Sequence, residues 1–362
     1  MSLVHKIALT LIKNIGSRQA RKLLLAFGDA ESVFTAKKEA LLKIEGIGEK
    51  IASSILTTDA LIKAKKQLTF LEKHKIEVLF YTDENYPKRL RHCYDAPVLL
   101  YFKGEVDFNQ KRVVGIVGTR NATPYGKELC KQLVAYLKAY DVLIISGLAY
   151  GIDIAAHKES IVQNITTVGV LGHGLDRIYP QAHTAIARNM LQNGGLLTEF
   201  LPETNPDKEN FPKRNRIIAG LCDVLVVIEA SSKGGALITA DIANSYARDV
   251  YAFPGRTTDQ YSEGCNFLIK TNRAGLINHP KDLIYYLAWD DGLKKSEVQM
   301  QLPLNLTELE LQIVDELKNK AMDVDELCRT TKLSQSKLAM TLLTLEMQGI
   351  VINLPGKQYQ LT

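Results

Sequence analysis

The residues best suited to chemistry lie in four glycine-bearing turns and one basic loop. The turns are Val117-Gly118-Thr119-Arg120, Ser146-Gly147-Leu148-Ala149-Tyr150-Gly151, Leu171-Gly172-His173-Gly174 and Ser231-Ser232-Lys233-Gly234-Gly235. Glycine lets main-chain N–H groups approach a bound anion, while the hydroxyls of Thr119, Ser146, Ser231 and Ser232 and the cations Arg120 and Lys233 add donors that a phosphate accepts. One such turn proves little, since tight turns need glycine for conformational reasons alone; four in one stretch point to phosphate binding. The loop Lys208-Glu209-Asn210-Phe211-Pro212-Lys213-Arg214-Asn215-Arg216 sets four cations and one ring within nine residues. Its Lys and Arg side chains can grip backbone phosphates while a base stacks on Phe211, a contact that contributes ~1 to 3 kcal/mol per base in single-strand recognition. The competing expectation is a solvated helix start with Phe211 packed inward. Asn215 is expected to hold the loop rather than touch a ligand.

Missing motifs narrow the chemistry. Gly118 to Gly126 does not spell Gly-x-Gly-x-x-Gly, and no Walker pattern occurs, so NAD and ATP chemistry lose support and no cofactor is expected. The five cysteines are far apart with no Cys-x-x-Cys pair, which supports neither a disulfide framework nor a zinc site. Asp153 and Glu199 are the carboxylates nearest the expected ligand edge; they are read as ordering loops by hydrogen bonds, and no catalytic residue is assigned. An enzymatic rival, a nucleotide-cleaving phosphoribohydrolase, would need a Pro-Gly-Gly-x-Gly-Thr turn followed by a catalytic Glu. Lys233 to Asp241 has the glycines but a displaced acid.

The elements that must position these turns follow from periodicity. From Arg112 to about Tyr286, short β-branched runs alternate with helical stretches, the pattern of a mostly parallel, doubly wound α/β sheet. Candidate strands are Val113 to Val117, Val142 to Ser146, Thr167 to Leu171, Leu196 to Glu199, Val224 to Glu229 and Val250 to Phe253. The glycine turns follow strands, so they should line the sheet edge where such folds bind ligands. Tyr81 to Gly104, broken by Pro87 and Pro97, reads as a structural connector. The expected division is a helical domain at 1–80, connector plus α/β body at 81–290, an acidic linker near Asp290 to Gln301, and a terminal domain at 303–362.

In the N-terminal segment, Ile44-Glu45-Gly46-Ile47-Gly48-Glu49-Lys50-Ile51-Ala52 has the glycines of a helix-hairpin-helix, within a SAM-like helical module. Gly46, Gly48 and Lys50 could hold a DNA phosphate through main-chain donors and a helix dipole without reading bases. Ile15-Gly16 and Ala20 repeat the pattern upstream, with Asn14 in place of Gly46; plain αα-corners are the alternative. The last segment reads as three helices and a hairpin across Pro355-Gly356, the layout of a winged helix. Its third helix offers Lys337 alone as a cation, which favours protein contact or weak DNA contact over duplex reading, though a duplex-binding regulator stays open as a rival.

The 362 residues are 46% hydrophobic and 23% charged, an ordinary globular composition. No apolar run approaches a membrane span and no signal-peptide layout opens the chain, so a cytoplasmic protein without membrane association is expected. The net charge of +5 is unevenly spread: residues 1 to 103 carry 18 Lys and Arg against 11 Asp and Glu, and the remainder is balanced or acidic. A basic N-terminal module suits an anionic polymer as partner.

Together these residues resemble the DprA/Smf family of DNA processing proteins over nearly the whole chain. The resemblance is carried by Val117-Gly118-Thr119-Arg120 with Tyr125-Gly126, by the run from Ser146 to Asp153, by Gly172 to Asp176 with Tyr179-Pro180, and by Phe211 to Ala219. Gly235 to Ala240, Phe253-Pro254-Gly255 and Gly264 to Ile269 add to it. It implies an extended Rossmann domain that binds single-stranded DNA, a homodimer, and loading of the recombinase RecA onto strands entering by natural transformation. Carried over by motif, Arg120 takes the phosphate-gripping role, Lys208 and Phe211 the phosphate and stacking contacts, and Arg214 and Arg216 complete a basic wall. His183 stands where the family shows Asn, so a hydrogen bond there should differ. The dimer surface is placed no more finely than Asn266 to Leu287.

Overall fold

A computed structural model describes residues 2–289, 306–318, 322–348, 350–354 and 358–361. The linker expected near Asp290 to Gln301 and the Pro355-Gly356 turn lie outside them. The chain divides into two compact units, residues 1–289 and 290–362.

The first unit is built on nine strands: β1 (Glu77–Phe80), β2 (Leu99–Glu105), β3 (Arg112–Val117), β4 (Val142–Gly147), β5 (Thr167–Val170), β6 (Gly194–Thr198), β7 (Val224–Val227), β8 (Asp249–Ala252) and β9 (Gly275–Leu276). Their order is β1-β2-β6-β5-β4-β3-β7-β8-β9. The pairs from β6 through to β9 are parallel, while β2 is antiparallel to both β6 and β1. All six candidate strands form. Strands such as β3 are buried along their whole length because helices cover both faces, hence unbroken apolar runs instead of alternation. Val113 and Val117 pack with Ile217, Leu221 and Ala240 on one side. Val114 and Ile116 pack with Leu133, Val134 and Ile152 on the other.

The chain runs outward from β3 through β4, β5 and β6, then returns to place β7 on the opposite flank of β3. The reversal makes the gap between β3 and β7 the switch point, where loops diverge and leave a crevice beyond the strand ends.

Tyr81 to Gly104 is more than a connector. Leu99–Glu105 is a strand registered against Thr198 to Gly194 of β6. Pro97 ends just before the pairing starts, so it blocks no ladder hydrogen bond. This strand also joins the helices to the sheet, since Leu99 and Tyr101 share a core with Ile7, Leu9, Leu23 and Leu71.

The N-terminal helices repeat one turn geometry. Asn14 and Gly46 both have positive φ, 64° and 85°, and Gly16 and Gly48 each lead in extended conformation into helices Ser17–Phe27 and Glu49–Leu56. Asn tolerates the left-handed region better than most side chains, which explains how it replaces glycine in the first copy.

The second unit has helices Glu308–Leu317, Val324–Thr331 and Gln335–Met347 and strands β10 (Met322–Asp323), β11 (Val351–Leu354) and β12 (Gln358–Leu361), in sheet order β10-β12-β11. This is a winged helix. Thr307 and Glu310 form a reciprocal capping box at the first helix, and Asp323 caps the second.

Candidate functional site

A groove of about 700 Å³ opens over the ends of β3 and β7. The turn after β3 contributes Gly118, Thr119 and Arg120, the turn after β7 contributes Ser231, Lys233 and Gly234, and Lys208 precedes helix Asn210–Leu221, whose first turns contribute Phe211, Arg214 and Asn215, so most of the expected basic loop is helical. Residues distant in sequence therefore meet because β3 and β7 are neighbours. Gly234 gives no side-chain cap to helix Gly235–Ser245. The first turn of that helix lines the groove, so its N–H donors and positive dipole end lie where an anion would sit. Asn215 reaches across to the Gly235 carbonyl at 3.4 Å.

Arg120 and Phe211 form the central pair. The exposed guanidinium lies 5.1 Å from the ring centroid of half-buried Phe211. Tyr179 neighbours the same ring, tilted to it, at 6.2 Å between centroids. Gly172 makes this possible, because a Cβ there would press to 3.2 Å from the Phe211 ring.

Four of the expected site residues are placed otherwise. Arg216 lies outside the groove lining; it pairs with the Glu199 carboxylate and donates to the Asp95 carbonyl at 2.5 Å, so its charge is spent on the fold. Ser146 is fully buried and donates to the Ile116 carbonyl at 2.6 Å, tying β4 to β3. Gly147 serves Arg214, since a Cβ there would lie 2.0 Å from the guanidinium. Gly174 donates its N–H to the Thr204 carbonyl and packs against Leu201, which fixes a loop.

Arg214 lines the groove but belongs to its floor. It is 4% exposed, donates to the Val170 carbonyl at 2.5 Å, and has Asp153 as its counter-charge. The basic wall expected of Arg214 and Arg216 is therefore set back into the fold: Arg216 is ion-paired with Glu199, while Arg214 lies buried at the groove floor near Asp153, its Nε without a hydrogen-bond partner among the described residues. Burial pulls the Arg214 guanidinium below its ordinary value, which Asp153 opposes; burial pushes Asp153 up, which Arg214 opposes.

Two residues outside the sequence assignment matter here. Glu229, 3% exposed, accepts from the Thr123 N–H at 2.9 Å and its hydroxyl at 2.5 Å, anchoring the segment after Arg120. His157 joins the Gly147 carbonyl at 2.6 Å to Thr167. Neither stands in a glycine turn, and an acid or histidine inside an apolar stretch gives no spacing signal. His183 bonds the Leu148 carbonyl through Nδ1 at 2.8 Å. Gly46, Gly48 and Lys50 share one exposed turn and do not line the groove; Glu45 and Glu49 beside them pair with Lys22 and Lys38.

The profile of the DNA recombination-mediator protein A family matches residues 77–288, the span that holds every groove residue. The chain belongs to that family. Profiles for the DprA winged helix domain and a helix-hairpin-helix motif match residues 298–357 and 7–79. The chain is 31% identical to protein Smf of Synechocystis, with 96% of each chain covered. Among solved structures it is similar to DNA processing protein A of Streptococcus pneumoniae, with TM-score 0.65 and 31% identity over 78% of this chain and 97% of that one. It is also similar to DNA processing protein A of Helicobacter pylori, a structure describing a single-stranded DNA binding mode, with TM-score 0.55 and 30% identity over 60% and 97%. The family resemblance read from the motifs is correct. No helix among the described residues is long and apolar enough to cross a membrane.

Proposed function

We propose that the groove holds single-stranded DNA and that the protein is a recombination mediator, delivering strands to RecA during natural transformation. The Arg120 and Phe211 pair carries this reading: a cation for the phosphate and a ring for the base sit together at a crevice lined by main-chain donors. Lys208 and Lys233, both exposed on the same groove, extend the phosphate track. Binding of a single strand by the Helicobacter pylori relative supports the assignment. Gly46, Gly48 and Lys50 add a sequence-independent backbone contact from the N-terminal module.

A second copy of the chain is assigned to the β9 side of the sheet. There Phe267, Leu276, Tyr285 and Tyr286 expose apolar surface, and Tyr251 stacks on Tyr286 at 5.5 Å. The test of ligand class is competition between unlabelled single strand and duplex for a labelled oligo-dT: single strand should displace it at far lower concentration, and equal displacement overturns the proposal. RecA filament growth on single strands should quicken when the protein is added; an unchanged rate refutes the loading role.

A further inference from the structure

We infer that the single strand does not end in the first groove but passes over Tyr179 and Pro206 into a second groove against the N-terminal helices, where Lys103 and Arg188 hold its phosphates. The inference rests on the first groove being a single-strand site.

Continuity is the first observation. Tyr179 and Pro206 line both grooves, so the two are separated by no more than the ridge these residues form. The second groove has about 760 Å³, close to the volume of the first, and lies between helix Ala60–Lys73, β2 and helix Thr184–Met190.

Charge is the second. Lys103 of β2 is half-buried and Arg188 of helix Thr184–Met190 is exposed, and neither has an ion-pair or hydrogen-bond partner for its side chain among the described residues. Arg177, by contrast, is held by Asp176 at 2.8 Å and Asn205 at 2.7 Å. Asp176 is the one carboxylate among the lining residues, and it is already paired. Two cations without counter-charges at one groove leave a surface that a polyanion's phosphates complement.

Stacking surface is the third. Tyr179 is 48% exposed, with its ring 6.2 Å from Phe211. Phe70 and His74, tilted to each other with ring centroids 4.2 Å apart, also line this groove. Rings therefore recur along the path beside unpaired cations, the same combination that the first groove presents. The strand would then meet the N-terminal module along its route.

The test compares two lengths of oligo-dT, about 6 and about 20 nucleotides, a short one sized to a single groove and a long one able to reach the second. The variant is Lys103→Ala with Arg188→Ala; the control is Lys131→Ala with Lys138→Ala, an equal charge change on residues that line neither groove. For the long oligomer the variant's slope of log affinity against log salt should fall by about 1.4, from two lost phosphate contacts at ~0.7 counterions each. The short oligomer should bind the variant as it binds the native protein, which also shows that the variant folds, and the control should match the native protein at both lengths. A long-oligomer slope unchanged in the variant overturns the extension. Failure of the native protein to bind the short oligomer instead removes the first-groove reading, and this one with it.

Discussion

Arg120 holds its guanidinium 5.1 Å from the centre of the Phe211 ring, although 90 residues of chain separate them, Arg120 standing in the turn after β3 and Phe211 in the first turn of helix Asn210–Leu221. The contact exists because β3 ends beside the segment that enters helix Asn210–Leu221. Held in this way, the ring is preorganised and the cation stays exposed beside it.

Phe211→Ala should weaken oligo-dT binding by roughly five- to 150-fold, from ~1 to 3 kcal/mol of stacking per base. The salt slope should not change, because a ring releases no counterions. Fluorescence anisotropy at several salt concentrations reads both quantities. A shallower slope would mean that the ring acts by holding Arg120 in place.

Arg214→Ala should act on stability. It removes the bond to the Val170 carbonyl and leaves buried Asp153 without the nearby positive charge that opposes its burial, a loss of about 1 to 3 kcal/mol for a buried group left unsatisfied, read as a lower urea midpoint. Asp153→Asn in the same chain should recover part of it. Binding by the folded fraction should keep its salt slope; a slope decrease equal to that of an exposed phosphate contact would return Arg214 to the phosphate track.

Stability should fall with acid in a defined window. Burial pulls the His157 imidazole down to about 4 from 6.5. An unfolded chain takes this proton near pH 6.5 while the folded chain does not until about 4, so stability present above 6.5 is lost as pH falls between the two values, by on the order of 3 kcal/mol. Buried Asp153 and Glu199, both pushed up, bind protons more readily when folded and oppose this trend. Urea midpoints of the native protein and His157→Gln should therefore diverge above pH 5 and converge toward pH 4. Parallel curves would show that His157 carries no part of the acid sensitivity.

Removal of residues 303–362 should leave oligo-dT affinity unchanged. The third helix of the winged unit exposes Met340, Leu343 and Met347 on one stripe beside Lys337, a surface better suited to a protein than to phosphates. Loss of single-strand binding in the shortened protein would make this unit the DNA site.

Much of this was legible in the sequence because glycine and periodicity are local signals. The six inner strands, the groove turns at Gly118 and Gly234, and the Phe211 loop all announce themselves within ten residues. What stayed hidden depends on partners far away in the chain. Arg216 looks like a phosphate contact until Glu199 is found beside it, and Arg214 looks like another until Asp153 and Val170 enclose it. β2 was masked by Pro87 and Pro97, which mark a break but say nothing of the strand that follows. Lys103 and Arg188 carry no motif, and their relation is made by folding alone.

The most direct test of the groove is the salt dependence of oligo-dT binding by Arg120→Ala beside the native protein. The variant should bind more weakly, with a slope shallower by about 0.7, the counterion share of one single-strand phosphate contact. Equal affinity and equal slope in the two proteins would place the DNA somewhere other than at Arg120.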